Sequence, residues 1–357
     1  MNPSQRIGLL LFLLFITGST SSGQFFEEDT VTVYDTTYIK AYRDELTTRF
    51  FISRKQNGYN LSPVLLKPWI RYRSNDNLLL GLGYTYSFLT INLSVKMPFI
   101  NRDDETFGKT NYIDLQAHSI FRTYIVDFYL QWTKGYYLSN PENIYRPPLH
   151  QGEYPVRGDM RTTILGLNVQ YLFNSSRYSY KAAFLQNQFQ RRSAGSPIAG
   201  IEGYWMLGMT DSVMVDNSIP PSGFLGDQPF NQVDIANVGI NGGYAYTFVW
   251  KEKLYLSLSE VIGLSGGYNQ VHHSNSSTTH YRGLTAGFTS STRISLGFNS
   301  HDYYVGLSLI HFTMSNLTGG GYGDRFTFST GNLRINFVKR FRLKKPIKAL
   351  RPDLWIL

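Results

Sequence analysis

The chain has 357 residues, of which 15% are aromatic and only 17% charged, with 32 Gly, no Cys and a formal net charge of +9. Abundant aromatics with little charge exclude a disordered chain, and the lack of cysteine excludes a disulfide framework, a Cys-based zinc site and a thiol nucleophile. This is the composition of an all-β protein, a β-barrel in particular, and its positive charge asks for an acidic partner.

In chain order, residues 1–23 read as a secretory signal peptide. Arg6 supplies the positive end, Ile7 to Ile16 an apolar run, and Ser21, Ser22 and Gly23 small residues for cleavage. The run is too short to span a bilayer, and no 18-residue apolar stretch follows. Residues 24–59 are expected to form a periplasmic lead-in. A secreted chain of this kind crosses a second membrane only as a closed barrel, because lipid satisfies no open sheet edge.

Alternation with period two then recurs along residues 60–341. Leu89, Ile91, Leu93 and Val95 oppose Thr90, Asn92, Ser94 and Lys96. Tyr124, Val126, Phe128, Leu130 and Trp132 oppose Asp127, Tyr129, Gln131 and Thr133. Leu165 to Phe173 continues the pattern. Val238, Ile240, Tyr244, Tyr246, Phe248 and Trp250 oppose Asn237, Asn241 and Thr247. Leu284, Phe288, Ile294, Leu296 and Phe298 oppose Thr285, Thr289 and Arg293, and Leu333, Ile335, Phe337 and Phe341 oppose Arg334, Asn336 and Arg340. Apolar faces ending in aromatics, runs longer than ten residues, and short turns alternating with long loops are the pattern of a transmembrane antiparallel barrel.

Fourteen runs look strand-like, but the short turns at Asn174 and Lys251 require an even number of strands between them. Residues 178–190 and 232–250 supply two; 197–209 is then assigned to an external loop and 48–54 to the lead-in. Twelve strands remain, the first over 60–72, with fourteen as the alternative. The last strand, Gly331 to Phe341, is expected to be the signal read by the barrel-assembly machinery. The tail, 342–357, is basic and expected to be periplasmic.

Tyr72-Arg73-Ser74-Asn75 followed by Leu80-Gly81-Leu82-Gly83-Tyr84 resembles a motif of a domain-of-unknown-function family of Bacteroidota outer-membrane barrels. Tyr171-Leu172-Phe173-Asn174, continued by Tyr178 to Phe184 and Ser193 to Ser196, is similar to the same family. The resemblance covers about residues 30–341 and implies a β-barrel in the bacterial outer membrane; it transfers no catalytic residues. Ser74, where the family would carry proline, and the basic tail depart from its pattern.

The inward phase places Lys67, Arg71, Lys96, Lys181, Arg293, Arg334 and Arg340 in the lumen with Asp114, Asp127 and His118. A basic bore focuses field on anions, so the first functional expectation is a narrow channel or binding barrel for small anionic solutes. A structural or envelope-interaction barrel is the alternative, and a lipid-modifying hydrolase the third. No catalytic, cofactor or metal residues stand out. His118 and Ser119 are adjacent and point to opposite faces, as do His311 and Ser308. His272, His273 and His280 lack a nearby carboxylate. Glu260 falls on the lipid phase between Leu258 and Ile262, and a β-bulge would turn it inward. The remaining partners are outer-membrane lipid and the assembly machinery; a secreted chain has no use for nucleic acid.

Overall fold

The computed structural model describes residues 34–343 apart from 43–44, 63–68, 76–77, 87–88, 98–99, 101–102, 146–148, 151, 217–218, 220–227, 274–278 and 318–323. The expected signal peptide, Lys67 and the tail beyond Leu343 lie outside the described residues. The strands are β1 Ile39–Ala41, β2 Glu45–Ser62, β3 Ile70–Arg73, β4 Leu78–Tyr86, β5 Leu89–Lys96, β6 Asn111–Ile120, β7 Tyr124–Leu138 and β8 Val156–Leu172. They continue as β9 Gln188–Gln190, β10 Ala194–Met209, β11 Phe230–Trp250, β12 Leu254–His273, β13 Thr279–Asn299, β14 Tyr303–Leu317 and β15 Arg325–Arg342.

Ten strands close a ring in the order β2, β3, β7, β8, β10, β11, β12, β13, β14, β15 and back to β2. Every pair is antiparallel, and β15 joins β2 over its whole length, from Arg342↔Glu45 to Arg325↔Ser62. The junction of β3 with β7 is short, Tyr72↔Leu138 and Arg73↔Tyr137. β3 and β4 form one descending line along β2, the first paired with Gly58 to Leu61, the second with Thr47 to Arg54. Below β3 the line diverges from β7, and β5 on β4 and β6 on β7 enter the gap. Among the described residues no pairing joins β5 to β6. The closed barrel therefore has ten strands, and β4, β5 and β6 stand beside β2 and β7 towards its short-turn end.

The parity argument expected twelve strands and chose a different set of them. Residues 48–54 belong to β2, which begins at Glu45 and not in a lead-in reaching residue 59. Residues 197–209 are wall strand β10, with Pro197 near its beginning, where a missing donor is tolerated. Residues 178–190 are not a strand. Ser179 Oγ accepts from Ala182 N at 3.0 Å, capping a helix over Tyr180–Phe184 that turns into the bore and is followed by β9. β9 pairs with β1, so the chain entering β2 and the connection after β8 together form a small internal sheet.

The break between β3 and β4 is held by the Tyr72–Asn75 motif. Ser74 Oγ donates to Asn57 O at 3.0 Å, and Asn75 Nδ2 donates to Asp103, Asp104 and Gly108 O. Ser74 thus makes the turn without proline. Lower down, Gly81 faces Phe51 across the strand pair, and a Cβ at 81 would overlap the ring. The Phe51 ring also carries the Arg334 guanidinium, 4.3 Å from its centroid. Gly81→Val is expected to dislodge this stack and cost about 1–3 kcal/mol, as overpacking does. The readout is a lower temperature for loss of the compact folded band in unheated gel electrophoresis.

Candidate functional site: the filled lumen

With one face of each strand turned inward, the lumen fills in three layers. At the long-loop end it is apolar: Tyr59 packs on Tyr72, Tyr136 and Phe326 with ring centroids 5.1–5.3 Å apart, among Met160, Met206, Met214 and Phe230. Side chains alone fill this part of the ten-stranded bore, as they do in barrels of about eight strands.

The middle layer is polar. Arg293 on β13 makes an ion pair with Asp127 on β7, both almost completely inaccessible, and its guanidinium lies over the Tyr180 ring at 5.5 Å. Beside it Glu202 on β10 accepts from Thr289 Oγ1 at 2.5 Å and from Asn241 Nδ2 at 2.8 Å. Asn241 also donates to Asn168 Oδ1 at 3.0 Å. Buried charges persist only when paired and hydrogen-bonded in this way.

The plug after β8 closes the short-turn end. Gln186, at φ 56°, ends its helix in the left-handed conformation and aims carbonyls at the wall. Two wall arginines take them. Arg340 donates to Gln186 O through Nε and Nη2 at 3.0 and 2.7 Å, and Arg49 Nη2 donates to Leu185 O and Gln186 Oε1, both at 2.8 Å. Tyr255 Oη and Ser295 Oγ donate to Ala183 O at 3.2 and 3.0 Å.

Of the residues expected to line the lumen, Asp127, Arg293 and Arg340 are buried there, Lys181 is buried in the plug, and Arg334 stacks on inward Phe51. Asp114 and His118 lie on β6 in register with Gln131 and Asp127. Arg71 is not in the lumen. Tyr72 takes the inside of β3 to pack on Tyr59, which turns Arg71 outward beside Trp69. Lys96 ends β5 and reaches Asp104 at 3.7 Å with its side chain about a third exposed. Arg49 and Glu202 were missed because β2 and β10 were not read as wall strands; their two-residue alternation was the available signal. Among the described residues no three metal-ligating side chains gather.

The outer wall is apolar. Leu93, Ile201, Val238, Ile240, Leu264 and Leu284 are each at least 60% exposed, and Leu333, Ile335, Phe337 and Phe341 face outward as expected. Glu260 is also outside. The register of β12 with both neighbours runs unbroken through it, so no bulge turns it in. Its carboxylate accepts from Ser290 Oγ at 2.7 Å and Thr292 Oγ1 at 2.5 Å.

A closed antiparallel barrel with a predominantly apolar exterior defines a transmembrane β-barrel of the outer-membrane class. The family described as "Domain of unknown function (DUF4421)" matches residues 33–341, and the chain belongs to it. No curated protein matches. Among solved structures, the outer membrane protease OmpT from Escherichia coli is similar at 7% identity and TM-score 0.36, over 85% of this chain and 98% of that one. The translocator domain of autotransporter NalP from Neisseria meningitidis is similar at 8% identity and TM-score 0.32, over 82% and 88%. OprG from Pseudomonas aeruginosa is similar at 10% identity and TM-score 0.23, over 85% and 98%. Likenesses this distant transfer no function.

Removing one partner of the buried pair is the decisive perturbation. Asp127→Ala strands Arg293 and is expected to cost about 3–5 kcal/mol, whereas Asp127→Leu with Arg293→Met recovers most of the loss. Urea titration of folding into micelles, read by gel mobility, measures both.

Proposed function

We propose that the protein is a closed, non-conducting barrel of the bacterial outer membrane that acts through its surfaces rather than through its bore. The observation that carries this reading is the engagement of the central and short-turn-end arginines. Arg293 is spent on Asp127, and Arg49 and Arg340 on plug carbonyls. An anion path would need these same guanidinium groups facing water, and aromatic packing fills the lumen above them. On this reading the short-turn end is periplasmic, lipid covers the outer wall, and the barrel-assembly machinery reads the outward Leu333, Ile335, Phe337 and Phe341 of β15.

Planar-bilayer recording of the purified full-length protein is expected to show no steady current. Arg49→Ala with Arg340→Ala, which releases the plug, is expected to remain without steady current, because the aromatic layer above the plug still fills the lumen. A steady anion-selective current from the unaltered protein would return the reading to a channel for small anionic solutes.

A further inference from the structure

The outer wall is not uniformly apolar. On β11 the outward series Trp250, Phe248, Tyr246, Tyr244, Ile240 and Val238 is interrupted only by Gly242. On β14 the outward series Tyr303, Val305, Leu307 and Leu309 stops at His311, and Thr313 and Ser315 follow. The same change occurs on the neighbouring strands. β13 presents Thr292 and Ser290 above Ile294, β15 presents Gly331 and Ser329 above Leu333, and β2 presents Arg54 and Gln56 above Ile52. Register aligns these positions in one row, Glu260↔Thr292↔His311↔Gly331↔Gln56. Four of these five positions carry polar side chains, and an ionisable residue on a membrane-facing wall is a functional candidate by default.

Within the row one pair has the geometry of a nucleophile and its base. His311 and Thr313 are two apart on β14, share the outward face, and meet with Thr313 Oγ1 3.2 Å from His311 Nε2. Both are open to the membrane side. Gly331 lies beside the imidazole: a Cβ there would come within 3.2 Å of His311 Nδ1. No side chain therefore stands between His311 and the exposed Gln56 amide one strand further on. Depth agrees with a lipid substrate. Ten residues separate Thr313 from the outward aromatic Tyr303, which at ~3.3 Å rise and ~40° tilt is about 25 Å, the height of the apolar band. If Tyr303 marks one interface, Thr313 lies at the other, where the ester groups of lipids sit.

We propose that His311 and Thr313 form a lipid-facing acyl-ester site, with Gln56 donating to the carbonyl oxygen and an O-acyl ester of a membrane lipid as substrate. Thr313 Oγ1 attacks the acyl carbonyl carbon and its proton passes to His311 Nε2. The tetrahedral adduct collapses with cleavage of the acyl carbon–oxygen bond, and His311 returns the proton to the departing lipid alkoxide. Interfacial water, deprotonated by His311, then attacks acyl-Thr313, releases the fatty acid and restores the hydroxyl. One ester and one water give one acid and one alcohol, with no redox change. The site lies on the outside of the wall and does not depend on whether the bore is closed.

The test reconstitutes the full-length protein into dioleoyl phosphatidylglycerol vesicles and measures free oleate, with compact-band mobility as the check on folding. The unaltered protein is expected to release oleate. Thr313→Ala and His311→Ala should each lower the rate by at least about 100-fold, Thr313→Ser should retain it, and Gly331→Leu, which covers the imidazole, should suppress it in a folded barrel. Intact-mass detection of an oleoyl adduct that vanishes in Thr313→Ala is the second readout, independent of turnover. No oleate and no adduct from the folded unaltered protein, or equal rates from it and Thr313→Ala, would overturn the proposal.

Discussion

A backbone in hydrocarbon must bond to itself, and this chain meets that demand with very little at one place. On the side of β7 away from β8, the ring is closed by two register pairs, Tyr72↔Leu138 and Arg73↔Tyr137, supplied by the four-residue β3. Because β3 reaches β7 directly, the ring at the long-loop end has ten strands and not twelve, and the bore is correspondingly narrow. The Ser74–Asn75 contacts that end β3 fix where the line departs and where β5 and β6 enter below it.

A narrow bore determines what the inward side chains can be. Aromatic and Met side chains suffice at the long-loop end, but the middle carries Arg293, Asp127 and Glu202, and water has no room to solvate them. Each is matched: the guanidinium by a carboxylate and an aromatic face, the glutamate by Thr289 and Asn241. At the other end the chain folds a capped helix inward and presents its last carbonyls to Arg49 and Arg340, where a helix C-terminus favours cations. Of the charges that made the sequence look like an anion carrier, Arg293 and Arg340 are internal cross-links.

Period two made much of this legible. The outward faces of β7, β8, β11, β13 and β15 follow from alternation alone, and with them the inward placement of Asp127, Arg293 and Arg340. The strands that escaped did so for identifiable reasons. β2 loses its apolar face above Ile52, where Arg54 and Gln56 point outward, so it resembles a polar lead-in. β10 carries Pro197 near its start, and the plug's Tyr178 and Tyr180 mimic a strand until Ser179 is recognised as a helix cap. Partners 166 residues apart, as Asp127 and Arg293 are, leave no local trace in a single sequence. The His311–Thr313 spacing was visible in the sequence; its meaning required knowing that this face meets lipid and that Gly331 leaves it open.

A closed bore moves function to the wall and rims, so closure is the claim on which the account turns. The chain has no cysteine, and Ala183 lies at the centre of the plug, 1% exposed, with its carbonyl held by Tyr255 and Ser295. The most direct measurement is maleimide labelling of the single thiol in A183C, with the protein folded in vesicles permeable to the reagent. The account expects no labelling in the folded barrel and complete labelling in urea. Rapid labelling of the folded protein would mean an open, water-filled bore and would contradict it.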